Sequence, residues 1–136
     1  MSFYRYHQDS DVHIVDCGGT VNLETGMTRL RELQRELRAR QPRDGVAKLL
    51  IDFRNTIWED ENVHMELSRI TRTEFGLNPG NSSIRAAIVN TRCDGQVSDN
   101  EYWFLSDIAA LQWLCSRGSE VPKRCESTEQ VPTQPT

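Results

Sequence analysis

The sequence predicts an α/β domain with a mostly parallel central sheet of about five strands, an N-terminal hairpin and helices packed on the sheet. Short apolar runs typical of buried strands alternate with longer segments whose apolar residues recur every three or four positions, the spacing of amphipathic helices. This alternation favours βαβ units with right-handed crossovers. The chain has 136 residues, a length that fits one domain with a single core.

The first part of the chain is predicted to form a hairpin followed by a helix. Residues 3–6 and 12–15 have strand character, and a turn-like polar stretch separates them. Gly18 and Gly19 end the second strand, and Asn22 is a suitable N-cap for a helix of about seventeen residues. Pro42 and the following Asp-Gly pair end this segment, because proline cannot continue a helix.

The middle of the chain is predicted to contain two buried strands with a helix between them. Residues 46–53 are nearly all apolar, as expected of a strand in mid-sheet that is covered on both faces. Acidic residues 59–61 precede a second apolar helical stripe, and arginines follow near its end, which is the charge order that a helix dipole favours. Gly76 is suited to end this helix, and residues 84–89 form the next buried strand.

The end of the chain is predicted to add a short strand and a helix. Residues 99–115 also fit one continuous helix, but we assign 102–105 to a strand and Ser106 to the N-cap of a helix over 107–115. A parallel strand here needs a connection of about a dozen residues, so residues 90–101 barely suffice and leave its direction open. Residues 118–136 are polar and contain three prolines, so we expect a domain over 1–117 and a disordered tail.

Composition argues against several classes of function. A net charge of −4 disfavours nucleic acid and anionic lipid as partners. Six arginines lie between residues 23 and 43, but glutamates intersperse them, so a solvated helix face is the simpler interpretation and RNA binding the alternative. The longest apolar runs have four residues, too few for a membrane span. The N-terminus lacks an apolar stretch, so we expect no secretory signal and a cytoplasmic location.

Neither the cysteines nor the histidines have the spacing of a metal or redox site. There is no C-x-x-C pair among Cys17, Cys93, Cys115 and Cys125, and no i, i+4 pair among His7, His13 and His64. No nucleophile, base and orienting group stand in a recognisable arrangement. We therefore predict no metal, no cofactor and no enzymatic activity.

Three local stretches resemble a known family when they are taken in order. They are Gly18-Gly19, then Leu50-Ile51-Asp52-Phe53 leading to Glu59-Asp60-Glu61-Asn62, and finally Phe104-Leu105-Ser106-Asp107 before Ala110-Leu111-x-Trp113-Leu114. Over about residues 3–115 the chain resembles the STAS and bacterial SpoIIAA-like domains, which implies an α/β sandwich with a regulatory, non-enzymatic role. In anti-sigma-factor antagonists of this class a serine at the start of the second helix is phosphorylated. Glu61 stands in its place, so the resemblance implies a protein-interaction domain without that switch.

The loop after the central strand is the candidate partner-binding or ligand-binding site. It contains Thr56, Trp58, Glu59, Asp60, Glu61 and Asn62. Open α/β sheets bind ligands at the carboxyl ends of their strands. The acids already neutralise the positive end of the helix, which disfavours a phosphate ligand and favours a basic or polar partner surface. Stabilisation of the helix alone is the other interpretation of these acids.

The resemblance also implies a second function, carriage of a small lipophilic ligand, because SpoIIAA-like proteins are related in shape to lipid-carrying domains. Met27, Trp103 and Trp113 would then line an apolar pocket, whereas core packing is the simpler role for them. The predicted edge strand at residues 3–6 is a candidate for homodimerisation.

Overall fold

The computed structural model describes residues 3–77 and 80–116 of the chain, which contain eight strands and three helices. The strands are β1 (Tyr4–His7), β2 (Val12–Asp16), β3 (Gly19–Val21), β4 (Ala47–Asp52), β5 (Thr56–Trp58), β6 (Ile84–Val89), β7 (Gly95–Ser98) and β8 (Glu101–Phe104). The helices are α1 (Leu23–Ala39), α2 (Glu61–Glu74) and α3 (Asp107–Cys115). The tail predicted at 118–136 lies outside the described residues.

Six of the strands form one mixed sheet in the order β1-β2-β4-β6-β8-β7. The four interior strands run parallel to one another, and β1 and β7 pair antiparallel at the two edges. The α/β class, the mostly parallel sheet and the N-terminal hairpin are thereby confirmed. The sheet has six strands rather than about five, because residues 95–98 form β7, which the sequence pattern did not predict.

The short connection between β6 and β8 is made by a strand instead of a helix. The chain crosses to the sheet edge after β6, returns as β7 antiparallel to β8, and then enters β8 parallel to β6. A strand advances about 3.3 Å per residue and a helix only about 1.5 Å, so an extended return needs fewer residues. This explains how residues 90–101 accommodate a parallel last strand.

Helices cover both faces of the sheet. Leu49 and Ile51 of β4 belong to the core cluster beneath α1, which includes Leu33, whereas Leu50 belongs to the cluster that packs against Trp113 of α3. Successive residues of β4 therefore face opposite buried layers, which accounts for its nearly continuous apolar sequence. The predicted mid-sheet position of this strand is confirmed.

A second, two-stranded parallel sheet extends past the carboxyl ends of β2 and β4. It pairs β3 with β5, with Gly19 opposite Thr56 and Val21 opposite Trp58. Gly19 has a φ of 93°, a conformation that other residues rarely adopt, and the chain leaves the main sheet there as predicted. Helix α1 starts just after β3 and helix α2 just after β5, so this small sheet fixes where both helices begin.

Each helix begins at a capping side chain. The Asn22 side chain accepts a hydrogen bond from the Thr25 backbone at 2.9 Å, and the Thr25 hydroxyl accepts one from the Asn22 N–H at 3.0 Å. Asp60 caps α2, and Ser106 caps α3. The predicted caps Asn22 and Ser106 are confirmed. Among the described residues, no helix combines the length and the apolar character that crossing a bilayer requires.

Candidate functional site

The six predicted site residues lie together on β5, the short loop after it and the first turn of α2. Hydrogen bonds to the β2–β3 segment hold both ends of β5. The Thr56 hydroxyl donates to the Cys17 carbonyl at 2.7 Å, and the Glu59 N–H donates to the Val21 carbonyl at 3.0 Å. The site therefore stands on a fixed piece of backbone rather than on a free loop.

The side chains of β5 alternate between the interior and solvent. The Trp58 ring stacks on His64 of α2, with ring centroids 4.4 Å apart and planes 15° apart, and also contacts Phe53. Ile57, between the two inward-facing residues, is 63% exposed. Trp58 is thus a packing residue that holds β5 against α2, and Ile57 is the apolar group that a partner can reach. Because β5 has only three residues, its alternation is too short for the sequence to show which of them faces solvent.

The acidic residues of the site have different roles. Asp60 accepts a hydrogen bond from the Val63 N–H at 3.1 Å and caps α2. An oxygen of Glu61 lies 3.7 Å from a guanidinium nitrogen of Arg92 and 3.7 Å from Nδ1 of His64. Glu59 and Asn62 are exposed. Helix stabilisation therefore accounts for Asp60, whereas Glu59 and Glu61 remain accessible to a partner.

His64 is a site residue that the sequence did not single out. Its Nδ1 is buried and has no hydrogen-bond partner among the described residues. Burial lowers the pKa of His64 below the usual 6.5, Glu61 opposes this change, and Arg92 adds to it. The neutral imidazole packs as an aromatic ring among Trp58, Phe53 and Trp103. An isolated histidine in a helix carries no sequence signal for such an environment.

The carboxyl edge of the sheet also holds an ion-pair network between β4 and α3. Two nitrogens of Arg54 donate to the two carboxylate oxygens of Asp52 at 3.1 and 2.8 Å, and Arg54 lies 3.5 Å from Asp107. Burial raises the pKa of Asp52, but the hydrogen bonds from Arg54 outweigh this and lower it overall. In the part of the chain that the structure describes, no group of three His, Cys, Asp or Glu side chains could hold a metal ion.

The residues proposed for an apolar pocket do not lie around one cavity. Trp113 packs with Tyr102 in the cluster on the α3 side of the sheet, and Trp103 packs on the opposite side. Met27 lies in a third cluster, between α1, α2 and the small sheet. The apolar cavity beneath α1 and α2 measures about 30 Å³, which accommodates little more than a water molecule. Core packing is the role that these contacts show.

Comparison of the chain with protein-family models, with curated proteins and with solved structures found no match.

Proposed function

We propose that this chain is a cytoplasmic, non-enzymatic protein-interaction domain of the STAS or SpoIIAA-like type, and that residues 56–62 bind its partner. The observation that carries this proposal is Ile57, a large apolar side chain that is 63% exposed on an anchored strand. Glu59 and Glu61 lie beside it in sequence, and their carboxylates complement a basic rim on the partner.

An exposed Ile57 next to Glu59 and Glu61 has the composition expected at the centre of a protein–protein interface. Binding energy concentrates in a few anchoring side chains that are surrounded by polar groups. Because hydrogen bonds hold β5 to the β2–β3 segment, binding would not require ordering of the loop, and that lowers the entropic cost of association. Leu23 at the start of α1 and Met65 in α2 are also exposed, so apolar side chains are available on each element that adjoins the small sheet.

Glu61 makes this interaction independent of phosphorylation at the position where anti-sigma-factor antagonists of the STAS class carry a serine. Its charge is permanent, and it is smaller than the roughly −1.5 to −2 of a phosphoserine. Arg92 and His64 flank the Glu61 carboxylate. We infer that a partner meets a constant acidic surface here rather than a switched one.

Carriage of a lipophilic ligand has weaker support. Pockets for small ligands usually measure about 300 to 1,000 Å³, whereas the cavity beneath α1 and α2 measures about 30 Å³. A carrier would have to separate these helices from the sheet. Native mass spectrometry tests this alternative, since a bound mass of a few hundred daltons would favour it over the interaction domain.

The interaction proposal is tested by affinity capture from cells with quantitative mass spectrometry, followed by affinity measurement on the purified partner. Ile57→Ser and Glu61→Lys should each weaken binding by about tenfold or more. The matched controls are Val97→Ser, at an apolar residue on β7 that is 49% exposed, and Glu66→Lys, which lies on the same helix as Glu61. The proposal fails if the partner binds the two site variants and the two controls equally well.

A further inference from the structure

The outer edge of β1 is lined by a groove that is rich in arginine. The groove has a volume of about 550 Å³, and the described residues that line it are Tyr4, Arg5, Tyr6, Gln8, Arg40 and Arg43, none of which is acidic. Consecutive strand residues point to opposite faces of a sheet. A groove that contacts three consecutive residues of β1 therefore follows the edge of the strand and does not lie on one face.

The backbone of β1 is oriented to pair with a further strand. β1 stands at the end of the sheet, next to β2. The Phe3 carbonyl accepts a hydrogen bond from the Asp16 N–H at 2.8 Å, and Tyr6 is opposite His13. Because hydrogen-bonded and non-hydrogen-bonded pairs alternate in antiparallel strands, the N–H and C=O of Tyr6 point away from β2. An edge with this orientation can accept an added strand.

Two of the three arginines in the groove are available to an anion. Arg43 is committed to the hairpin, where it donates to the carbonyls of Gln8 and Asp9 and lies 4.0 Å from the Asp11 carboxylate. It is the only one of the three with an ion pair within residues 3–77 and 80–116. Arg40 stacks over the Tyr6 ring at 4.2 Å and forms a hydrogen bond with the Tyr4 side chain, but it is exposed and has no carboxylate partner among the described residues. Arg5 is exposed on the strand itself.

We propose that this groove binds an acidic segment of a partner protein, which adds to β1 as an extended strand. The carboxylates of the segment meet Arg5 and Arg40, and its backbone pairs with that of Tyr6. The surface is separate from residues 56–62, so it is a second interaction site and does not depend on the first.

The geometry favours an acidic peptide over two other occupants. Single-stranded nucleic acid would need open aromatic faces for stacking, but Arg40 covers the Tyr6 ring, and both tyrosine rings pack against His13. A second copy of this chain, paired through β1, would bring the same arginines together, and like charges across strands are unfavourable.

Fluorescence anisotropy tests the proposal with a labelled peptide of about eight residues that repeats Glu-Glu-Thr-Thr, so that an added strand presents glutamates on both faces of the sheet. Wild-type protein should bind it, and Arg5→Glu and Arg40→Glu should each weaken binding by about tenfold or more. Arg31→Glu makes the same change of charge at an exposed position of α1 outside the groove and should leave the affinity unchanged. Equal losses in all three variants would indicate unspecific attraction and overturn the proposal.

N-methylation of the peptide tests whether it binds as a strand. An added strand uses the N–H of every second residue, so one of two peptides methylated at alternate positions should bind and the other should not. Equal binding of both would overturn strand addition. Tighter binding of a single-stranded oligothymidylate would assign the groove to nucleic acid instead. If the wild-type protein forms a dimer and the acidic peptide does not dissociate it, the edge of β1 would be assigned to a second copy of the chain.

Discussion

At the scale of single residues, a buried glutamate and a partly buried histidine join α2 to the sheet in different ways. Glu101 is only 3% exposed and accepts hydrogen bonds from two nitrogens of Arg72, at 2.9 and 3.2 Å, and from the Trp103 ring at 2.9 Å. Its charge is buried but fully paired, as buried charges require. His64 instead packs as a neutral ring. The first contact resists separation of α2 from β8, and the second is sensitive to protonation.

We expect the free energy of unfolding to fall as the pH is lowered from about 6.5 to 5. Burial lowers the pKa of His64 and of His13 below the usual 6.5 in the folded state. The unfolded chain then binds more protons than the folded chain in this range, so stability increases with pH. The carboxyl groups of Asp11 and Glu66, whose usual pKa values are 3.8 and 4.5, titrate below this pH range.

Urea unfolding at a series of pH values measures this dependence. His64→Phe retains a ring against Trp58 and removes one of the two titrating groups, so its stability should vary less with pH than that of the wild type. An unchanged pH dependence in this variant would mean that the His64 ring is not held neutral by burial.

At the scale of secondary-structure elements, the contact between α1 and α2 depends on one glycine. A Cβ atom at Gly26 of α1 would lie 2.3 Å from a methyl carbon of Leu67 in α2. Glycine inside a helix usually costs roughly 0.5 to 1 kcal/mol relative to alanine. Here its missing side chain lets the two helices approach, and Leu67 fills the cluster that also contains Val21 and Val63.

Gly26→Ala should therefore lower the free energy of unfolding by about 1 to 3 kcal/mol, as overpacking does, instead of raising it. Leu67→Ala removes the obstructing methyl groups at the cost of a cavity. The double variant should then lose less than the two single variants together. Chemical unfolding of the four proteins measures these values. A stabilised Gly26→Ala variant would show that the helices do not pack this closely.

At the scale of the whole molecule, the core is divided between the two faces of the sheet. Tyr102, Phe104 and Trp113 belong to the cluster on the α3 side, and Leu33 and Leu49 to the cluster on the α1 side. Both clusters draw on strands from the beginning, middle and end of residues 3–116. The described residues therefore share one core, and a domain over 1–117 stays a prediction.

A chain that ends after residue 117 should consequently unfold with the same free energy as the full chain, within about 0.5 kcal/mol. Guanidinium unfolding of both proteins tests the predicted domain boundary. A shortened chain that is less stable by more than about 1 kcal/mol would show that residues 118–136 belong to the folded domain.

The sequence by itself determined the α/β class, the hairpin and the positions of the helices. These features depend on local patterns, such as the apolar stripe that follows Asn22 and the uninterrupted apolar run of β4. The candidate loop was also located in this way, because the carboxyl end of a central strand can be recognised from the order of the elements.

Only the tertiary structure decided which residues of that loop are exposed and which are packed. The pairing of Gly19 with Thr56 joins two short strands that have no pattern of their own, and it turns Ile57 outward. Trp103 and Trp113 lie on opposite faces of the sheet. The side chains of β8 alternate between the two faces, and α3 packs on the face opposite to the one that Trp103 covers. Such features arise from contacts between segments distant along the chain, and local periodicity carries no information about those contacts.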